Sequence, residues 1–120
     1  MRCIIFLSVF IATVLASPSD LYPATYDDYD VNRLKNIEPL RSLMLCLVDQ
    51  GPCDEHAAFF KERTAEAVEQ ACRRCTDKQK IIMKTVLEQS HAQLPEMAAL
   101  FAKKYDPEGK YLAPLKKSLA

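Results

Sequence analysis

Residues 39–53 read Pro39-Leu40-Arg41-Ser42-Leu43-Met44-Leu45-Cys46-Leu47-Val48-Asp49-Gln50-Gly51-Pro52-Cys53. Leu40, Leu43, Met44, Leu47 and Val48 recur at i, i+3, i+4, i+7 and i+8, which lays one apolar stripe along an α-helix. Pro39 suits the first turn, where its missing N–H leaves no bond unmade. Gly51 with Pro52 is expected to end the helix. Cys46 thus sits inside the helix and Cys53 just beyond its stop. Cys72 and Cys75 complete the pattern C-x₆-C-x₁₈-C-x₂-C on a chain whose apolar residues otherwise keep helical spacing. That combination points to a helical domain stapled by disulfides.

The N-terminus fixes the redox compartment. Arg2 supplies a basic start, Ile4 to Leu15 an apolar run, and Val14 and Ala16 the small-residue positions before a cut. Residues 1–16 therefore read as a secretory signal peptide, and residues 17–120 as the mature domain. A transmembrane span needs about 20 apolar residues, and this run stops short of that before Ser17, Pro18, Ser19 and Asp20. An exported chain meets an oxidising environment in which thiols close, so the reading is of a secreted, extracellular protein without stable membrane insertion. Cys3 leaves with the leader, and the mature chain keeps an even number of cysteines.

Four cysteines allow three connectivities, and spacing alone does not choose among them. Local pairing is favoured, because one helical turn between Cys72 and Cys75 brings Cα atoms to about 5 Å. Cys46 with Cys53 would close a turn around Gly51-Pro52. Both rings are small, so each restricts the unfolded chain by less than the roughly 3 kcal/mol expected of a 15-residue loop. A four-thiolate zinc site is a poor fit, since its knuckles are C-x₂₋₄-C and the first pair here is wider. The C-x₂-C lacks the preceding strand that a thioredoxin-type redox motif requires.

Removing Arg2 leaves 15 basic against 16 acidic residues, a net charge of −1 that gives no general attraction for nucleic acid or anionic lipid. A mature chain of roughly 104 residues is one domain, able to bury about two-thirds of its unfolded surface. Two glycines in the whole chain, with no internal repeat, argue for continuous packed helices.

Ser17 to Tyr29, with Pro18, Pro23, three tyrosines and several aspartates, reads as an extended arm. Asp30 then caps a short helix carrying Val31, Leu34 and Ile37 on one face. After the helix already described, Asp54 begins another running to about Cys72, with Phe60, Thr64, Ala67, Val68 and Ala71 along its inner face. Thr76-x-x-Gln79 is a capping box, opening a helix whose buried face holds Ile82, Met83, Val86 and Leu87. Pro95 starts the next, with Met97, Leu100, Phe101 and Tyr105 in register. Asp106-Pro107-Glu108-Gly109 reads as a turn. A last short helix spans Tyr111 to Leu119, although Pro114 counts against it. The expected fold is an all-α bundle of about six short helices.

Nothing in this layout reads as catalytic. His56 and His91 lie among polar neighbours and read as two solvated histidines, with no Ser or Cys nucleophile nearby and no H-E-x-x-H pattern. Asp27, Asp28 and Asp30 lack the glycine and distal glutamate of a calcium loop and read as capping and surface charge. The expectation is therefore a protein that is not an enzyme and needs no metal or cofactor.

Several blocks together resemble a known family. Tyr26-Asp27 and Asp30-Val31 near the start, Cys46 to Cys53, and Ala71-Cys72-Arg73-Arg74-Cys75-Thr76-Asp77-Lys78-Gln79-Lys80 agree in order and spacing with the insect chemosensory proteins, also called olfactory-segment-D-like or sensory-appendage proteins. Lys104-Tyr105-Asp106-Pro107-Glu108-Gly109-Lys110-Tyr111 matches that family's K-Y-D-P-x-G-x-aromatic block. The resemblance covers nearly the whole mature chain. It implies six helices around an internal hydrophobic channel, bridges Cys46–Cys53 and Cys72–Cys75, and reversible binding of small hydrophobic molecules such as fatty-acid-like compounds, esters or semiochemicals. Two departures stand out: Leu43 replaces an aromatic residue three positions before the first cysteine, and Ala98 stands where many members have tryptophan. Both exchange an aromatic for something smaller or softer, so the ligands of other members do not transfer directly.

An empty rigid cavity costs about 24 cal/mol per Å³, so a void of roughly 300 Å³ costs about 7 kcal/mol. Since a domain's stability is only about 5–15 kcal/mol, the unliganded channel is expected to be partly collapsed, hydrated or filled, with Met44, Met83 and Met97 adapting their shape as a ligand enters. The candidate ligand-binding wall is Val31, Leu34, Leu43, Met44 and Leu47, then Phe60, Thr64, Ala67 and Val68, then Ile82 and Val86. Tyr26, Tyr105 and Tyr111 add hydroxyls able to orient a polar head group. The function expected is that of a secreted monomeric carrier, with any receptor left unspecified. The alternative is a secreted developmental or protein-interaction factor, which would show a contiguous exposed apolar patch.

Overall fold

The computed structural model describes residues 20–120. The leader reading, residues 1–16, lies outside the described residues. One 3₁₀ turn, Val31–Lys35, precedes five α-helices: α1 (Ile37–Leu47), α2 (Glu55–Glu69), α3 (Asp77–Gln93), α4 (Pro95–Tyr105) and α5 (Leu112–Leu119). The first of the six expected helices is thus a single tight turn. Asp30 caps it through a bond from the Asn32 amide, and it ends because Asn36 is extended (φ −96°, ψ 139°). Leu34 from this turn is fully buried, whereas Ile37, expected on the same face, is 39% exposed at the start of α1.

The stripe on α1 is the centre of the core: Leu40, Leu43, Met44, Leu47 and Val48 are all buried. Against it pack α2, α3 and α4, while α5 closes the bundle against α2 and α3. The capping box forms as read, with the Gln79 amide donating to Thr76 Oγ1 and the Thr76 amide donating to Gln79 Oε1, both at 3.1 Å. Pro95 opens α4 at its first position. Pro114 falls in the first turn of α5, where no intrahelical N–H is needed, so the helix survives it and buries Leu115 completely. The Asp106–Gly109 turn closes with the Gly109 amide donating to Asp106 O at 3.0 Å, and Gly109 takes a φ of 71°.

Both disulfides join neighbouring cysteines, Cys46–Cys53 with Cα atoms 5.1 Å apart and Cys72–Cys75 with Cα atoms 5.0 Å apart. The helix stops beside them differ from the sequence reading. α1 ends at Leu47, before Gly51, because Asp49 adopts the left-handed conformation (φ 66°) and the Gln50 amide reaches back to Leu45 O at 2.8 Å. Gly51 serves another need: a Cβ there would lie 2.9 Å from Leu45 Cβ. Likewise α2 ends at Glu69 rather than Cys72, with Ala71 (φ 55°) and Cys72 (φ 60°) left-handed and the Cys72 amide bonded to Ala67 O at 2.8 Å. The second bridge therefore spans a reversal of the chain and not a helical turn. Both corners use non-glycine residues where glycine is favoured. Ala71→Gly is expected to raise the unfolding free energy by about 0.5–1 kcal/mol; an unchanged or lower denaturant midpoint would contradict the strain assigned to this corner.

The arm is pinned rather than loose. The Tyr22 amide donates to Arg74 O at 2.8 Å, the Tyr22 hydroxyl to Glu66 Oε1 at 2.6 Å, and Gln79 Nε2 to Pro23 O at 2.9 Å. Tyr22 is buried in consequence and covers the second bridge's end of the bundle. Asp49 fastens the opposite corner, pairing with Lys104 and Lys61; their hydrogen bonds hold its carboxyl down at about 2.

Candidate binding pocket

Because α2 carries Thr64 and Ala67 where larger residues would fill the bundle axis, a cavity of about 50 Å³ remains between α1, α2, α3 and α4. Leu43 and Leu47 line it from α1, Phe60, Thr64 and Ala67 from α2, and Ile82 and Val86 from α3. These were all expected in the wall. At about 24 cal/mol per Å³ such a void costs only about 1 kcal/mol, whereas ligand pockets usually hold about 300 Å³ or more. Of the three expected states, partly collapsed, hydrated or filled, a space this small corresponds to the first.

The remaining expected wall residues lie elsewhere. Leu34, Met44 and Val68 are solid core, each at most 1% exposed and packed away from the cavity. Val31 is half-buried against the core. Tyr105 spends its hydroxyl on Leu47 O at 2.7 Å and packs against Phe101, so it offers no free polar handle. Tyr111 faces an outer cleft with Lys104 and Pro107. Tyr26 also lies outside, in the cleft described below. Periodicity places a residue on the inner face of a helix, but whether that face meets a neighbour or a void depends on how helices cross.

The wall also includes residues that the pattern assigned otherwise. Tyr22 comes from the arm, Phe59 and Arg63 flank the stripe of α2 at i and i+4, Met83 was expected to adapt as a ligand enters, and Phe101 was placed only in register on its helix. Gln79 contributes through the same side chain that closes the capping box. The polar groups here are mostly committed: the Thr64 hydroxyl donates to Phe60 O at 2.7 Å, Gln79 bonds Pro23 O, and Tyr22 bonds Glu66. The cavity therefore presents methyl groups and ring faces, which suits an apolar guest and leaves water few partners.

An outer cleft of about 270 Å³ lies between the arm and the starts of α1 and α2, bordered by Tyr26, Tyr29, His56 and Leu43. Leu43 borders both spaces. An aromatic cluster stands beside it: His56 stacks on Tyr29 with ring centres 3.8 Å apart and meets Phe60 edge-on at 4.5 Å, while Tyr26 meets Phe59 edge-on at 5.1 Å. His56 is therefore not the solvated residue expected from its sequence neighbours; the fold brings the rings to it. Burial lowers its pKa below the ordinary 6.5, so the ring is neutral at physiological pH. Its Nε2 is buried without a partner, which a neutral imidazole tolerates better than a charged one. His91 is exposed in the last turn of α3.

Comparison with known proteins bears on these spaces. The insect pheromone-binding family A10/OS-D matches residues 22–113. The chain is 35% identical over 112 residues to Allergen Tha p 1 of Thaumetopoea pityocampa, covering 92% of this chain and 89% of that one. It is 30% identical over 105 residues to Ejaculatory bulb-specific protein 3 of Drosophila melanogaster, covering 87% and 83% respectively. Among solved structures it resembles a chemosensory protein in complex with bromo-dodecanol, with a TM-score of 0.71 and 25% identity across 80% of this chain and 97% of that one.

Proposed function

Because the chain belongs to the insect pheromone-binding family A10/OS-D, we propose that it is a carrier that reversibly binds small hydrophobic molecules, among them fatty-acid-like compounds, esters and semiochemicals. It acts outside the cell once its leader is removed, as a monomer and without catalysis. The observation that carries this reading is the apolar cavity on the axis of the bundle, partly open to the surface and walled by residues from α1, α2, α3 and α4. The solved relative that holds a long-chain alcohol supports it. Among the described residues, no helix is long and apolar enough to cross a membrane.

Binding proceeds by expansion. A long alkyl chain cannot enter about 50 Å³ as it stands, so the wall must move, and Met83 with its flexible thioether yields at small cost. Each methylene taken from water contributes about 0.8 kcal/mol before ordering costs. Affinity therefore climbs with chain length until the bundle stops yielding. Among the described residues the exposed large apolar side chains are Leu21 in the arm, Ile37 on α1 and Ile81 on α3, which favours the carrier over the protein-interaction alternative. Displacement of a fluorescent fatty-acid probe by a series of straight-chain alcohols tests the proposal. Saturable displacement that strengthens with length is expected; no displacement by any alkyl compound would overturn it.

A further inference from the structure

Arg63 is the charged side chain among the residues that line the cavity. Its guanidinium lies over the ring of Phe59, another wall residue, with Cζ 3.8 Å from the ring centre. Nη1 donates to Phe59 O at 2.8 Å and makes a long contact of 3.5 Å with Glu62 Oε2, whose side chain is 74% exposed. No protein partner takes Nε or Nη2 among the described residues. The group is thus positioned by stacking and one backbone bond, and its charge is offset only by a solvated carboxylate. Arg74, at the same end of the bundle, differs: it pairs with Glu66 at 3.1 Å and donates from Nε to Asp20 O at 2.6 Å.

The Nε–Nη2 edge of a guanidinium is a planar pair of donors that matches a carboxylate. The stem of Arg63 covers apolar surface while its side chain stays 26% exposed, so this edge meets water at the rim of the pocket, where a head group would sit while its tail lies inside. We propose that Arg63 is the head-group anchor of this pocket, so that it favours long-chain carboxylates over neutral alcohols of equal length, with the alkyl tail in the cavity between Ala67 and Val86. This inference rests on the carrier reading and adds to it a preference of ligand charge.

The test compares dodecanoate with dodecanol by calorimetry on the wild-type chain, on Arg63→Met, which keeps an unbranched stem without the charge, and on Arg63→Lys, which keeps the charge without the fork. Arg63→Met is expected to weaken dodecanoate about tenfold, the loss of one charge-assisted contact, while dodecanol changes less than about twofold. Arg63→Lys recovers part of the acid's affinity and leaves the alcohol unchanged. Equal losses for both ligands, or none for either, would overturn the anchor while leaving the carrier intact. Failure of the wild-type chain to bind either ligand would remove the carrier reading, and the anchor with it.

Discussion

Replacing all four cysteines with alanine is expected to lower the unfolding free energy by about 4 kcal/mol. The Cys46–Cys53 bridge spans a sequence separation of 7 and the Cys72–Cys75 bridge one of 3, and closing rings of those sizes restricts the unfolded chain by about 2.5 and about 2 kcal/mol respectively. Alanine is the proper replacement because Cys46 and Cys72 are 0% exposed, where a serine hydroxyl would be buried without a partner. Against a total of about 5–15 kcal/mol this is a large share, and the melting temperature should fall by roughly 15–30 °C. A loss under about 1 kcal/mol would mean that the left-handed helix stops at Asp49 and Ala71 hold the corners without help from sulfur.

Ala67→Leu separates binding from folding. Ala67 is 4% exposed and lines the cavity, so three added carbons project into the space that a ligand must use. Filling the void returns part of the roughly 1 kcal/mol it costs, while crowding takes some back. Stability should therefore stay within about 1 kcal/mol of the parent, whereas affinity for a long-chain alcohol should fall at least about tenfold, the loss of roughly two buried methylenes. Urea denaturation and probe displacement on one preparation measure both. A variant that binds as well as the parent would place the ligand elsewhere, with the outer cleft beside His56 the first place to look.

The sequence carried most of the fold because its signals are local. The α1 stripe, the Thr76–Gln79 capping box, Pro95 and the Asp106–Gly109 turn each act within a few residues, and each appears where it was read. The helix stops were less legible, since Asp49 and Ala71 adopt a conformation that favours glycine and nothing in their identity announces it. The pocket was legible only in part. Leu43, Leu47, Phe60, Thr64, Ala67, Ile82 and Val86 share inner faces and also meet the void. Met44 and Val68 share those faces but meet another helix, a distinction set by crossing geometry that no single-chain periodicity contains. Tyr22 reaches the cavity from an arm with no period at all, held by Glu66 far away in sequence. Arg63 lies beside the apolar stripe of its helix, and its guanidinium folds back over the Phe59 ring, which charge patterning does not report.

The central claim is that this collapsed interior opens to admit an alkyl guest. Crystals grown with a terminally brominated long-chain alcohol test it most directly, because anomalous scattering from bromine locates the guest independently of the model phases. The account predicts a bromine peak or its alkyl chain among Leu43, Ala67, Ile82 and Val86, with the cavity enlarged severalfold from about 50 Å³. Bromine found only on the outer surface, beside an interior no larger than before, would contradict it.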